Sequence, residues 1–149
     1  MKWIFGSFIF VLIASMDNIQ TEDSLASAHL DGPVERFELK FSLAEISGLV
    51  AATPTSVFAH NDEHAIIHEV SLIDGKILRS FALGKPTIAA DFEGITRRGQ
   101  FLYLVTSKGI IYETLIGEDR SRVRYNIYDT GLKSTCEIEG ITTDTEDGF

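Results

Sequence analysis

Glu45-Ile46-Ser47-Gly48-Leu49, Asp91-Phe92-Glu93-Gly94-Ile95 and Glu137-Ile138-Glu139-Gly140-Ile141 are one phrase written three times. Each has an acid, an apolar residue, a serine or second acid, a glycine and a branched aliphatic, and the step between phrases is 46 residues both times. A fixed period of about 40–50 residues with strand-like filling marks a propeller, in which every repeat folds as a four-stranded blade.

Between the phrases, apolar residues come in short β-branched and aromatic runs broken by turn residues. Val57-Phe58-Ala59 falls opposite Tyr103-Leu104-Val105 at an offset of 46, and Lys76-Ile77-Leu78 opposite Arg122-Val123-Arg124 at the same offset. Ile66 to Glu69 matches Ile110 to Glu113 at 44, which predicts a loss of two residues near Glu63-His64. Turns are expected at Thr53-Pro54, Asn61-Asp62, Asp74-Gly75, Arg98-Gly99, Lys108-Gly109 and Gly117-Glu118-Asp119. The expected fold is therefore all-β: an incomplete propeller with blade one at about 45–83, blade two at about 91–129 and the start of blade three at about 137–149. In the third repeat Ile138 to Thr143 is the predicted first strand, and Asp147-Gly148-Phe149 the turn after it, so the chain reads as a truncated product. Ahead of the first blade, Phe37-Glu38-Leu39-Lys40-Phe41 alternates and reads as one more strand with a buried face.

The hydrophobic fraction of 44% and charged fraction of 23% are those of a globular chain, and ten Phe with four Tyr suit strand cores. A net charge of −9 argues against nucleic acid, since phosphate binding rests on Lys and Arg; an acidic surface favours cations. Lys2 followed by the apolar run Trp3 to Ala14 and then by acidic sequence reads as a signal peptide, residues 1–15, with 16–34 a flexible segment. This predicts a periplasmic or secreted protein; the alternative is a membrane anchor formed by an uncleaved leader, the only route to membrane contact. The apolar run is twelve residues, shorter than the roughly 20 a spanning helix needs.

Cys136 is the only cysteine, so no internal disulfide supports the fold. It takes the place of Ala90 in the preceding repeat and reads as a buried packing thiol. His60, His64 and His68 would share a face if helical, but the segment reads strand, Asn-Asp turn, strand, which makes them surface or half-buried residues and no zinc site. Gly48, Gly94 and Gly140 are read as structural, placed where the backbone is crowded or needs positive φ. Arg97-Arg98 and Arg120, Arg122 and Arg124 lie in or beside turns as solvated charge.

The phrases, together with Phe58-Ala59-His60-Asn61-Asp62 and Leu102-Tyr103-Leu104-Val105-Thr106-Ser107, resemble bacterial SdiA-regulated propeller proteins and the related propellers labelled esterase-like activity of phytase. The resemblance covers residues 36 to 149. It implies an envelope-associated propeller that binds calcium, and it supplies no catalytic set to carry over.

In a propeller, the loops entering the innermost strands and those joining second to third strands open on one face. Glu45, Asp91 and Glu137, with Glu93 and Glu139 at a second repeated position where blade one has Ser47, are thereby expected around one end of the channel. Asn61 and Asp62 open on the same face, with His60 beside them as a base or anion-binding group. Converging carboxylates suit calcium, which takes six to eight oxygen ligands; the plainer reading has these acids capping strand ends. Ser47, Thr106 and Ser107 are serine-hydrolase candidates without a G-x-S-x-G elbow or a placed base. The sequence thus predicts a binding module for a small ligand or protein partner at an acidic, calcium-binding mouth. Its rivals are a calcium-dependent hydrolase of esterase, lactonase or phosphoesterase kind, or a non-functional fragment of either.

Overall fold

The computed structural model describes residues 38–132 and 136–144. The leader at 1–15, the segment 16–34, Phe37 and the terminal Asp147-Gly148-Phe149 lie outside the described residues.

Alternating and β-branched runs separated by glycine turns give nine strands among the described residues: β1 (Ile46–Thr53), β2 (Ser56–Asn61), β3 (Ile66–Ser71), β4 (Ile77–Leu83), β5 (Phe92–Arg98), β6 (Phe101–Thr106), β7 (Ile110–Leu115), β8 (Arg122–Val123) and β9 (Tyr125–Asp129). They form two sheets. Sheet one is ordered β1-β2-β3-β4-β8 and sheet two β5-β6-β7-β9. Within each, the first four strands in the order follow one another as an antiparallel meander. Glycines at the hairpin turns, Gly75, Gly99 and Gly109, carry φ of 66, 59 and 79, left-handed values that cost a residue with a Cβ energy and glycine little. No helix among the described residues is long and apolar enough to cross a membrane.

Cross-strand pairing sorts the side chains into faces. On the front of sheet one run the rows Gly48, His60, Ile67, Phe81 and Val50, Phe58, Glu69, Arg79. On the back of sheet two run Ile95, Leu104, Tyr112, Ile127 and Arg97, Leu102, Thr114, Tyr125. These two faces meet in one core that holds Phe58, Ile67, Phe81 and Leu83 against Phe92, Ile95, Leu102 and Leu104, with Phe58 and Phe81 edge-to-face at 6.3 Å. Each such side chain contributes about 1.5–3 kcal/mol on burial. Ion pairing reinforces the packing: Glu69, 7% exposed, accepts from Ser56 Oγ at 2.7 Å and Arg79 Nε at 2.6 Å, and the Arg79 guanidinium lies over the Phe58 ring. Arg97 reaches from β5 to the carbonyls of Ala51 and Ala52 on β1, at 3.4 and 2.6 Å.

Five expectations are corrected here. The strand at Phe37–Phe41 is not formed over its described part; residues 41–43 make a 3-10 turn that drives Leu43 against Ala59 and Val70 on the back of sheet one. The offset between β2 and β6 is 45, not 46, because β1 carries an extra residue at a bulge between Ala51 and Thr53; the second lost residue falls after Asn61. In the second repeat Arg122–Val123 leave the fourth strand to pair parallel with Ala82 and Leu83 of β4, and β9 takes over that place. Ile138 to Thr143 form no strand, although the segment lies along β5. Cys136 is exposed, because the segment that holds it has no second strand against it among the described residues.

Candidate functional site

The repeated glycines show how the phrases are set side by side. A Cβ on Gly48 would meet the Ile95 amide nitrogen at 3.0 Å and the Gly94 Cα at 3.2 Å; a Cβ on Gly94 would meet Gly140 Cα at 3.0 Å and the Ile141 nitrogen at 3.1 Å. The same backbone contact is therefore made twice, one repeat apart, and close approach rather than positive φ is what Gly94 is there for. The loops repeat it as well: the Phe92 amide donates to Asp62 O at 2.7 Å, and one repeat later the Ile138 amide donates to Ser107 O at 3.2 Å.

This stacking gathers the acids. Both first strands carry a bulge at the residue before the glycine, Ser47 in β1 and Glu93 in β5, and bulges re-aim the side chains they carry. The two meet across the sheets, Ser47 Oγ donating to Glu93 Oε2 at 3.3 Å. Beyond Glu93 a shallow recess of about 280 Å³ is lined by Asp91, Glu93, Ser107, Lys108, Glu137 and Glu139. Burial first, and then the charge of Asp91, push the Glu93 carboxyl above its ordinary range, with Glu139 adding to the push and the Ser47 hydrogen bond opposing it. Glu137 holds a left-handed φ of 41, unusual outside glycine.

A second recess adjoins the first and is lined by Asp62, Glu63, His64, Ala89, Ala90 and Asp91. Its walls are stitched together by the Asp62–Phe92 bond, by Ala90 N to Glu63 O at 3.2 Å and by Ala65 N to Ile88 O at 2.9 Å. Asp91 borders both recesses. Asp62 Oδ1 is buried there without a hydrogen-bond partner, and Asn61 Oδ1 accepts the His64 amide at 3.1 Å.

Four of the five expected acids thus share one recess: Asp91, Glu93, Glu137 and Glu139. Glu45 does not line it; it stands exposed in the turn before β1, one repeat away. His60 is not on the open face. It is fully buried, its Nδ1 engaged with Asn61 O at 2.7 Å, its ring edge-on to Phe92 and its Nε2 against Gly48 without a partner. Burial depresses its pKa, with the Asn61 bond and the Asp62 charge working the other way. His68 is buried too, paired with Ser80 Oγ at 2.7 Å, rather than surface or half-buried as the sequence suggested. Among the described residues no three of His, Cys, Asp or Glu are placed to hold one metal ion. Set beside known protein families and curated proteins, the chain matches none of them.

The sequence reading has Lys108 as a turn residue and Glu63 as the edge of a deletion, and neither as part of the site. The signal lay in the loop register: with the β2 offset corrected to 45, Ser107-Lys108 is the counterpart of Asp62-Glu63, so both positions flank an acidic phrase. What the arrangement offers chemically is a dense row of carboxylate oxygens, open to solvent on one side, with a single lysine on its rim; such a surface concentrates cations.

Proposed function

We propose that this chain is part of an exported β-propeller of the SdiA-regulated kind, and that it works as a binding module taking a cationic ligand at its acidic end. The propeller reading is supported by the meander in each repeat and by the glycine contact made twice at one step. The reading of export rests on the leader sequence.

The observation that carries the ligand is the shared recess of Asp91, Glu93, Glu137 and Glu139, in which Glu93 is held above its ordinary range by burial and by its neighbours' charge. A bound cation relieves that repulsion. Calcium is the divalent ion we assign, since it accepts irregular oxygen shells and leaves room for waters or for a ligand's own oxygens. Among the described residues no three acids are already placed around one ion, so this reading requires the carboxylates to close on it.

The hydrolase reading gains nothing from the geometry. Ser47 gives its hydroxyl to Glu93, and His60 is buried with Nδ1 engaged by a backbone carbonyl. The Ser80–His68 pair lies on the back of sheet one, outside the residues that line the acidic recess.

The test is thermal unfolding in calcium, magnesium and sodium at matched ionic strength. Calcium is expected to raise the midpoint saturably by binding the folded state, and Asp91→Asn to reduce that rise. Equal responses to all three salts would reduce the recess to a solvated acidic surface.

A further inference from the structure

The two recesses described above are acidic. A third, of about 350 Å³, is lined by Gly84, Lys85, Arg122, Val123, Arg124 and Tyr125. Three of the chain's 13 lysines and arginines meet there, and none of its 22 Asp and Glu lines the recess.

The fold builds this recess where the second repeat departs from the first. β8 leaves its own sheet and pairs in parallel with the end of β4, Arg122 opposite Ala82 and Val123 opposite Leu83. Backbone bonds fix the register on both sides, Ala82 N donating to Ser121 O at 3.1 Å and Gly84 N to Val123 O at 3.0 Å. Val123 packs on the shared core, and the two arginines that flank it both border the recess. Gly84 has a φ of 75, and a Cβ there would meet Tyr125 Cε1 at 3.0 Å, so the tyrosine ring lies directly on the turn. The same ring stands 5.7 Å from that of Tyr112. The recess is thus anchored to both sheets.

Its cations are not neutralised by their neighbours. Arg122 Nη1 donates to two uncharged acceptors, Gly84 O at 3.3 Å and Thr87 Oγ1. Among the described residues, the side chains of Lys85 and Arg124 have no hydrogen bond or ion pair. Arg124 also borders a neighbouring recess with Glu113, but that carboxylate accepts from Asn126 and Tyr128. The first repeat is arranged differently. One 46-residue step before Arg120-Ser121-Arg122 stands Asp74-Gly75-Lys76, and there Lys76 Nζ meets Asp74 at 2.6 Å. In the second repeat the acid of that pair is replaced by Arg120, which pairs with Asp119 at 3.4 Å, and Arg122 has no carboxylate. Like charges gathered without a counter-ion repel one another, and an anion that enters relieves the repulsion.

We infer that this recess binds the phosphate group of a phosphate ester. Only Nη1 of the Arg122 guanidinium is engaged, which leaves its other N–H donors for phosphate oxygens, and the planar fork matches phosphate geometry. Arg124 adds a second fork and Lys85 a point charge. The recess has more room than one phosphate fills, and the Tyr125 ring offers the organic part of an ester a flat surface. The phosphate ester is either soluble or the headgroup of a lipid. The inference goes beyond the cation reading and stands whether or not the acidic recess binds calcium.

The experiment is calorimetric titration of the full chain with inorganic phosphate in calcium-free buffer, wild type beside Lys85→Gln, Arg124→Gln and Arg120→Gln. Lys85 and Arg124 are exposed and make no side-chain bond within the described chain, so their replacement is expected to leave the melting midpoint unchanged. Wild type and Arg120→Gln are expected to bind phosphate saturably with equal affinity, and Lys85→Gln and Arg124→Gln to bind about tenfold more weakly, the loss of one charge-assisted hydrogen bond. A second arm is co-sedimentation with vesicles of phosphatidylcholine and phosphatidylglycerol. Co-sedimentation that inorganic phosphate displaces identifies a lipid headgroup; phosphate binding without co-sedimentation identifies a soluble ester. No saturable binding of phosphate by wild type, or equal weakening in all three variants, would overturn the proposal.

Discussion

The row Val50, Phe58, Glu69, Arg79 on the front of sheet one and the row Thr96, Tyr103, Glu113, Asn126 on the front of sheet two hold the same places in their repeats. Their environments differ. Glu69 is buried under the neighbouring sheet and has recruited Ser56 and Arg79, whereas Glu113 is half-buried and is met by Asn126 at 2.8 Å and Tyr128 at 3.4 Å. A strand's own pattern fixes which face a side chain takes; the next sheet decides whether that face is dry. The energetic weight of an equivalent residue should therefore follow its neighbour sheet and not its repeat position.

The sharpest way to break that comparison is to remove a partner on each front. Arg79→Ala leaves the Glu69 carboxylate buried with one hydroxyl for company, and stripping a buried charge of its counter-ion costs about 3 kcal/mol. Glu113→Ala, acting on exposed hydrogen bonds, should cost less than about 0.5 kcal/mol. Urea denaturation of both variants measures the pair, and equal losses would show that the two fronts are energetically alike.

The glycines sharpen it next. Gly48→Val drives a branched side chain into His60 Nε2, 2.5 Å from the Cβ position, and into the β5 backbone, between two fully formed sheets. Overpacking of this kind costs about 2 kcal/mol. Gly94→Val meets an equally close backbone, but that of the third phrase, which belongs to no sheet and can give way, so about 1 kcal/mol is expected. Melting midpoints compare the two directly, and a larger loss at Gly94 would mean that the third phrase is held as firmly as a sheet.

Much of this was legible in the sequence, and what was not has a common physical cause. The three phrases and their 46-residue steps gave the strand content, the two meanders and the crowding at glycine, because these follow from backbone geometry that every repeat must satisfy. Four of the five acids were placed together for the same reason. The errors fall where one repeat departs from the average. The bulge between Ala51 and Thr53 slips the loop register by one, so that Lys108, expected as a turn residue, was not expected beside the acids. His60 follows a valine-phenylalanine-alanine run and turns inward with it, so an Asn-Asp turn next door was a poor guide to its exposure. Cys136 takes the slot of Ala90, which packs against the shared core, but among the described residues no further sheet lies beside Cys136.

Acid should separate the two sheets further. Sheet one buries His60 and His68, while their counterparts in sheet two are Val105 and Tyr112, which do not titrate in this range. Burial lowers the pKa of both histidines in the folded chain from 6.5. The unfolded chain then takes up protons that the folded one refuses, so stability is full above about pH 6.5 and falls as the pH drops from there toward the folded values. Amide exchange followed between about pH 7.5 and 5 is expected to loosen sheet one ahead of sheet two. Loss of protection in both sheets together would assign the acid response to groups the repeats share.

The smallest effect probes the first junction against the second. At the first, Glu93 meets a hydroxyl, Ser47; on its other side it meets the carboxylates of Asp91 and Glu139. A carboxyl held above its ordinary range favours its neutral form, so it contributes stability at low pH that is lost as the pH rises through its folded value. Glu93→Gln removes that loss and should stabilise the chain at neutral pH, by only about 0.3 kcal/mol because the group is open to solvent and screened. Calcium reverses the sign. With the ion bound, the same substitution deletes a charged oxygen from the recess, so the variant is expected to melt higher than wild type in a chelator and lower in excess calcium. Differential scanning calorimetry under the two conditions reads the crossing of the two curves. A variant that keeps its advantage in calcium would leave the carboxylate repulsion real and remove Glu93 from the cation's shell.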